Sequence, residues 1–219
     1  RALPRSGVAP ISVSVGWKLS TADGSLPPKL KRLQIAINRH GRFDYAGLPT
    51  CPVDRIQPAS SERALANCRS ALVGRGTFSA DVALSGQEPY STRGPLLVFN
   101  GRSHGKQVLL GQIYSPRPFA TSFVIVFKLR TLAAGTFGTE LEATMPPTLS
   151  SWGNLTGVEM TLGRRYRLHG TPHSYLSAGC PAPEGFSKAS FPLARAFLQM
   201  AEGTKLSTTF NSVCRARPG

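Results

Sequence analysis

VFNGRSHGKQVLL, from Val98 to Leu110, places two apolar runs on either side of a short polar segment. That segment holds Asn100–Gly101 and, three residues later, His104–Gly105. Asn-Gly between apolar runs is a strong local signal for a tight turn between antiparallel strands. The stretch therefore predicts a β-hairpin whose loop is slightly longer than the minimum.

Strand patterns continue on both sides of this hairpin. ISVSVGWKL, residues 11–19, alternates apolar and polar side chains, as a half-buried strand does. LQIAI (33–37), SFVIVFKLR (122–130) and FGTELEATM (137–145) repeat the alternation. We predict an all-β fold, a single antiparallel domain of about eight to ten strands, built as a sandwich or a curved, partly closed barrel with one wetter face.

Other segments refine this expectation. LQMAEGTKLSTTF predicts a second hairpin that turns between Glu202 and Lys205. QPASSERALANC predicts one short helix over residues 61–68, capped by Ser60 or Ser61. Pro192 in ASFPLARAF favours an edge strand, and MPPTLSSWGN reads as a loop. We expect an N-terminal tail over 1–10, one β domain over 11–215 and a C-terminal tail over 216–219.

The cysteine pattern indicates the cellular compartment of the protein. Cys51, Cys68, Cys180 and Cys214 form an even set without a CxxC pair, which favours two disulfides in an oxidising compartment. Of the three possible pairings, Cys51 with Cys68 and Cys180 with Cys214 closes the shortest loops; four unpaired thiols in a cytosolic protein is the alternative. The first residue is Arg1, and RALPRSGVAP has no apolar core, which indicates that a signal peptide was removed. We expect a secreted or cell-envelope protein.

A formal charge of +15 makes polyanions the expected partners. The candidates are an anionic polymer, a lipid headgroup or another protein subunit. The tightest basic cluster, GRRYRLHG, makes Arg164, Arg165 and Arg167 candidate anion-binding residues. Because there is no basic arm and no nucleic-acid motif, we expect no nucleic-acid role. We also expect no transmembrane segment, metal or cofactor, and the sequence predicts no oligomeric state.

Four segments together resemble a family of uncharacterised secreted β-rich proteins from high-GC Gram-positive bacteria. They are INRHGRFDYAGLPTC (37–51), RIQPASSERALANCRSALVGRGTF (55–78), LLVFNGR (96–102) and SYLSAGCPAPEGF (174–186). The resemblance covers about Val13 to Arg215. It implies export and a shared β-rich fold, and it implies no activity.

HGTPHSYLSAGC, from His169 to Cys180, resembles in part the cysteine L,D-transpeptidases that cross-link peptidoglycan. The resemblance implies Cys180 as the nucleophile, with His169 or His173 as its base. Ala178 stands where that family has a second histidine, and PA follows the cysteine where the family continues toward an arginine. The competing interpretation, which we favour, is a disulfide between Cys180 and Cys214 that removes the thiolate.

Two further patterns have a catalytic and a structural interpretation. NRHGRFDY offers His40, Asp44 and Tyr45 as part of a hydrolytic site, although a turn after the preceding strand explains it as well. Ser103 and Lys106 satisfy S-x-x-K but fall in the predicted hairpin loop, where the helical geometry of that motif is absent.

The sequence thus predicts a non-enzymatic binding or structural protein of the cell envelope or extracellular space. Its ligand is expected to be an anionic polymer, or an apolar molecule on the concave face that Phe123, Ile125, Phe127 and Leu129 would line. The alternative is a transpeptidase-like enzyme that uses Cys180.

Overall fold

The computed structural model describes residues 2–83, 86, 88–117 and 120–217. Two α-helices are described, α1 (Ser61–Cys68) and α2 (Pro147–Trp152). The strands, in chain order, are β1 (Ala9–Pro10), β2 (Val13–Lys18), β3 (Leu30–Asn38), β4 (Gly41–Phe43), β5 (Leu72–Val82), β6 (Tyr90–Ser103), β7 (Lys106–Ser115), β8 (Thr121–Thr131), β9 (Phe137–Thr144), β10 (Gly153–Leu162), β11 (Arg165–Leu168), β12 (Thr171–Ser174), β13 (Leu176–Ala178), β14 (Lys188–Met200) and β15 (Lys205–Arg215).

The predicted central hairpin is confirmed as β6 and β7, but the prediction of a longer loop is wrong. The strands pair as far as Ser103 opposite Lys106, which leaves only His104 and Gly105 in the turn. Their φ angles of 49° and 74° are both left-handed, as a two-residue turn that matches strand twist requires. Asn100 and Gly101 therefore lie within β6 and do not form the turn.

Ten antiparallel strands form one sheet that curls into a half-barrel, which confirms the predicted fold class. β5 to β9 follow one another as a meander. On one side β10 pairs with β5 and β2 with β10; on the other, β3 pairs with β9, β14 with β3, and β15 forms the edge. Two small sheets, β1-β13-β4 and β11-β12, are hydrogen-bonded separately from it and pack against the main core through residues such as Phe43, Tyr166 and Leu176.

Glycine permits close approach of neighbouring segments at several points in this sheet, Gly76 and Gly101 among them. A Cβ on Gly76 of β5 would lie 2.0 Å from the backbone oxygen of Glu159 on β10. A Cβ on Gly101 of β6 would lie 2.6 Å from the Leu110 side chain and 3.2 Å from the Cys51 oxygen. Larger residues at either position would push neighbouring segments off the sheet.

The central strands are buried on both faces. Val98, Leu109 and Ile125 belong to the main core on the inner face of the half-barrel. Phe99 and Leu110 alternate with them and pack in a second cluster with Ala64 and Cys68 of α1. The expected wetter face is therefore absent where α1 covers the sheet, and for this reason β6 and β7 read as continuous apolar runs.

Two fully buried side-chain amides attach the covering layer to the sheet. Asn100 donates from Nδ2 to the backbone oxygens of Leu48 (3.3 Å) and Pro49 (3.0 Å), and its Oδ1 accepts a hydrogen bond from Gln107. Gln112 donates to the Ala59 oxygen at 3.0 Å and accepts from the Ser61 hydroxyl at 3.3 Å. Since buried polar groups are costly when unpaired, these bonds fix where the layer sits.

Helix α1 confirms the prediction at Ser61–Cys68, and Ser60 is its cap, accepting from the Arg63 N–H at 3.2 Å. The Cys51–Cys68 disulfide ties the end of α1 to the preceding loop. MPPTLSSWGN, predicted as a loop, contains the short helix α2. Proline suits the first helical position, and Leu149 anchors this helix in the main core with 2% exposure.

The second predicted hairpin is confirmed, since β14 ends at Met200 and β15 begins at Lys205. The prediction that the strand containing Pro192 is an edge strand is wrong, because β14 lies between β3 and β15. Pro192 is tolerated there since pairing with β3 begins only at Ala194, and a bulge separates the two residues. Proline at a bulge removes no hydrogen bond from the ladder.

The two segments expected to be tails make specific contacts over their described residues. Leu3 forms a parallel bridge with Ala216, and β1 pairs with β13. The Arg5 guanidinium donates to the backbone oxygens of Pro183 and Phe186. Residues 1, 218 and 219 lie outside the described residues.

Asn100→Ala is expected to lower the free energy of unfolding by roughly 2 to 4 kcal/mol, because it leaves two carbonyl groups of the covering loop without their donor. Urea denaturation followed by tryptophan fluorescence measures the change. The exposed Asn211→Ala on β15 is the matched control and should shift stability by less than about 0.5 kcal/mol. Equal effects from the two substitutions would contradict the anchoring role of Asn100.

Candidate binding cleft at the sheet rim

A cleft of about 460 Å³ opens at one rim of the half-barrel where three parts of the chain meet. These parts are the β3–β4 turn with β4 and Tyr45, the start of β7, and the end of β8 with the start of β9. We call it the rim cleft, and its lining residues are Arg39, Gly41, Arg42, Phe43, Tyr45, Lys106, Gln107, Leu129, Arg130, Thr131, Gly138 and Thr139.

Backbone contacts bring the β3–β4 turn against the connection between β8 and β9. The Arg39 N–H donates to the Thr136 oxygen at 3.0 Å. A Cβ on Gly138 would lie 2.9 Å from the Arg39 Cα, so glycine at this position permits the approach. β4 then pairs with β13, with Arg42 opposite Ser177. Arg39 and Arg42 are thereby carried on a backbone that is held from both sides.

The cleft has an excess of positive charge. Arg39, Arg42 and Lys106 are exposed, and within the described part of the chain no ion pair or hydrogen bond engages their side chains. Arg130 is neutralised by Glu140, its cross-strand partner, at 2.8 Å. Three unpaired cations in one concavity raise the local concentration of anions, and guanidinium groups suit the oxygens of phosphate or carboxylate.

Aromatic rings form another wall of the rim cleft. The Phe43 ring meets Tyr175 edge to face, with centroids 5.7 Å apart. Tyr175 is fully buried, and burial, together with the neighbouring Tyr45, raises the pKa of its hydroxyl well above the ordinary value. Tyr45 itself is 45% exposed. The cleft therefore combines cations with one accessible aromatic surface on a rigid support.

A side-chain cluster braces the loop that carries Tyr45. His173 Nδ1 lies 3.0 Å from Asp44 Oδ2, and the rings of His173 and Tyr166 stack with centroids 5.5 Å apart. The Tyr166 hydroxyl donates to the Ala46 oxygen at 2.9 Å. Burial acts to raise the pKa of the Asp44 carboxyl, yet the hydrogen bonds from His173 and the Ala46 N–H outweigh it and lower that pKa. The pKa of the Tyr166 hydroxyl is raised, chiefly by burial and secondly by the negative charge of Asp44.

The structure thus brings together two histidine-containing motifs that the sequence left apart. Asp44 was a candidate from NRHGRFDY and His173 from HGTPHSYLSAGC, and they now form one pair. The backbone of His40 bonds Asn38 Oδ1 and the Gly179 N–H, as a turn residue does. The S-x-x-K pair, Ser103 and Lys106, face each other across the two-residue turn and do not share a helical turn.

The three predicted anion-binding arginines occupy different environments. Arg164 donates to the backbone oxygens of Arg69, Ser70 and Leu72, so its guanidinium serves to hold the segment before β5. Arg165 and Arg167 are exposed on the β11–β12 hairpin, where Arg167 bonds the Gly170 oxygen at 3.1 Å. None of the three lines the rim cleft.

In HGTPHSYLSAGC, the residues that the sequence offers for catalysis have structural roles. His169 and Gly170 form a two-residue turn with φ angles of 49° and 79°, the same turn type as at His104. His173 is engaged by Asp44, and Cys180 is bonded to Cys214. The two disulfides fit an oxidising environment. A disulfide sulfur is not a thiolate nucleophile, so the bonded form lacks the group that transpeptidation requires.

Sequence reasoning missed the rim cleft. Its cations come from three distant segments, and each segment holds only one or two of them. Arg39 lies in the turn with His40, Arg42 follows in β4, and Lys106 follows the His104–Gly105 turn, so a basic residue beside a histidine–glycine pair was the available signal.

Comparison with protein-family models, with curated proteins and with solved structures finds no match for this chain. No described helix is long and apolar enough to cross a membrane. Across the described ranges, no group of three or more histidine, cysteine or acidic side chains is arranged to hold a metal ion.

The lowered pKa of Asp44 predicts a pH-dependent contribution to stability. A carboxyl whose pKa is lower in the folded state stabilises the fold above its unfolded pKa of about 4, and this contribution is lost as the pH falls through the folded pKa. Asp44→Asn should therefore cost more unfolding free energy at pH 6 than at pH 3, measured by urea denaturation. In a His173→Gln background that difference should shrink; an unchanged difference would show that the pair is not its source.

Thiol titration tests the cysteine pairing. The denatured, unreduced protein should give no reaction with a thiol reagent, and reduction should release four thiols per chain, since all four cysteines are paired. Peptide mapping of the unreduced protein should recover the 51–68 and 180–214 links. A Cys180 that is alkylated without reductant would restore the enzyme hypothesis.

Proposed function

We propose that the protein is a non-enzymatic binding protein of the cell envelope or extracellular space whose rim cleft holds an anionic polymer. The observation that carries this proposal is the set of unpaired cations, Arg39, Arg42 and Lys106, gathered in one concavity beside the exposed Tyr45. By contrast, Glu142 neutralises Arg32 and Glu159 neutralises Arg93.

The shape of the cleft supports a polymer as the ligand. It lies at the rim, open to solvent, and its cations sit on separate segments and so offer several contact points to a repeating anion. Repeated weak contacts along one chain add up because later contacts are intramolecular. The chemistry suits phosphate and carboxylate groups alike, so both kinds of envelope polymer are included.

The apolar ligand and the transpeptidase function, both expected from the sequence as alternatives, receive less support. Of the residues proposed to line an apolar site, Phe123 and Ile125 are 5% exposed within the main core. Their side chains therefore pack against other core residues. The transpeptidase alternative requires a thiolate at Cys180, and the disulfide to Cys214 occupies that sulfur.

The experiment compares two charge-reversal variants of equal net charge. Arg42→Glu with Lys106→Glu alters the rim cleft, whereas Arg165→Glu with Arg167→Glu alters the β11–β12 hairpin. Polyphosphate and polygalacturonate serve as the phosphate and carboxylate probes in calorimetric titrations at low and moderate salt. We expect the cleft variant to bind the preferred probe at least tenfold more weakly and the hairpin variant to stay within about threefold of the parent.

The two probes distinguish phosphate from carboxylate ligands. Tighter binding of polyphosphate would assign a phosphate polymer to the cleft, and tighter binding of polygalacturonate would assign a carboxylate polymer. Equal losses in the two variants would overturn the proposal, since they would show that total charge alone governs binding. Binding of neither probe by the parent protein would overturn it as well.

A further inference from the structure

β15 is an edge strand that the structure leaves open along most of its length. It pairs with β14 over Lys205–Arg215 and forms one border of the ten-stranded sheet. Every residue from Lys205 to Asn211 is exposed. Its outer backbone N–H and C=O groups therefore form a template on which another strand can pair.

This edge lacks the usual protection against pairing. Edge strands commonly carry a central charge, a proline or a bulge, or are very short. β15 has eleven residues, and LSTTFNSVC between its terminal cations contains neither charge nor proline. The bulge in this hairpin lies in β14. The opposite edge, β2, has six residues and ends in a lysine.

The apolar inner face of the sheet continues onto β15. Leu206 lies opposite Leu198, which lies opposite the buried Leu33 of β3. Phe210 lies opposite Ala194 in the same way. Leu206 and Phe210 are nonetheless 44% and 43% exposed, so the apolar row ends in solvent at the edge. A further strand would cover these two side chains.

Contacts also hold the C-terminal end of this edge in place. Cys214, near its end, is bonded to Cys180 after β13, and the next residue but one, Ala216, bridges Leu3. A preformed edge loses little conformational entropy on binding.

The charges around this edge select the chemistry of the partner. β14 and β15 carry Lys188, Arg195, Lys205 and Arg215 and no acidic residue, and the turn between them carries one acid, Glu202. The Arg215 oxygen already accepts the Leu3 N–H, so the open part of this edge ends before Arg215. A second copy would bring a net charge of +15 and the same cations to this edge. Because like charges repel, an acidic partner is favoured over a second copy.

We propose that β15 is the docking edge for an extended, acidic peptide segment of a partner protein. The segment adds to the sheet as a further strand, places apolar side chains on Leu206 and Phe210, and sets its acidic residues against the terminal cations of β15. This surface is separate from the rim cleft and does not depend on the function proposed for that cleft.

The test uses synthetic peptides of alternating valine and threonine. One is flanked by glutamates, one by lysines, and one has flanking glutamates and a central proline. Fluorescence anisotropy measures affinity, and hydrogen exchange of the full chain locates the contact. We expect the glutamate peptide to bind and to protect amides of β15, and the lysine and proline peptides to bind at least tenfold more weakly.

The decisive variant is Leu206→Lys with Phe210→Lys, matched by Val15→Lys with Leu26→Lys at exposed apolar sites elsewhere. Each double variant gains two positive charges, so general electrostatics would strengthen binding of the glutamate peptide in both. Docking on β15 instead predicts at least a tenfold loss in the first variant only. Hydrogen exchange without peptide confirms that the β14–β15 pairing is retained.

Three outcomes would overturn the proposal. They are equal affinity of both double variants, absence of β15 protection with the parent protein, and self-association of the parent that the β15 variant abolishes while the peptide fails to bind. The cleft variant Arg42→Glu with Lys106→Glu should bind the peptide like the parent, which keeps the failure of this proposal distinct from failure of the cleft proposal.

Discussion

Burial of the central strands on both faces is the constraint on which the rest of the structure depends. β6 and β7 can be apolar throughout only if a second layer covers them, and that layer is a loop and one short helix with little core of its own. Asn100 and Gln112 attach this layer by hydrogen bonds made where no water competes, and the Cys51–Cys68 disulfide closes it. The same loop begins near Tyr45, which lines the rim cleft. One segment therefore both covers the core and forms a wall of the cleft.

Local chemistry made much of the fold predictable. Alternation identified the strands, and the serine cap placed α1, because both signals lie within a few neighbouring residues. Competing signals caused the errors: Asn100–Gly101 looked like the turn, but His104–Gly105 gives the strands their minimal loop. The rim cleft could not be predicted from neighbouring residues in the sequence. Arg39, Lys106 and Arg130 meet only because β3 pairs with β9 and β7 pairs with β8. Likewise, nothing in the sequence linked Asp44 to His173.

Net charge alone describes this protein poorly. Within the described residues, acids pair with only three arginines, as at Arg32–Glu142 and Arg130–Glu140, so most of the positive charge has no acidic partner. Two groups of these cations differ in their surroundings: the rim cleft is concave and lined by cations, whereas the β15 edge is apolar with cations at its ends. An anion with many charges suits the first, and a strand with few charges suits the second.

The contact of Leu3 with the segment after β15 has a consequence for engineering. Leu3 receives the Arg217 N–H and donates its own N–H to Arg215, so the first and last described segments run side by side. A short linker can therefore join them, and the exposed turn at 201–204 offers new ends, giving a circular permutant in which β15 becomes the first strand synthesised. In such a chain the edge strand is made before the sheet that it borders.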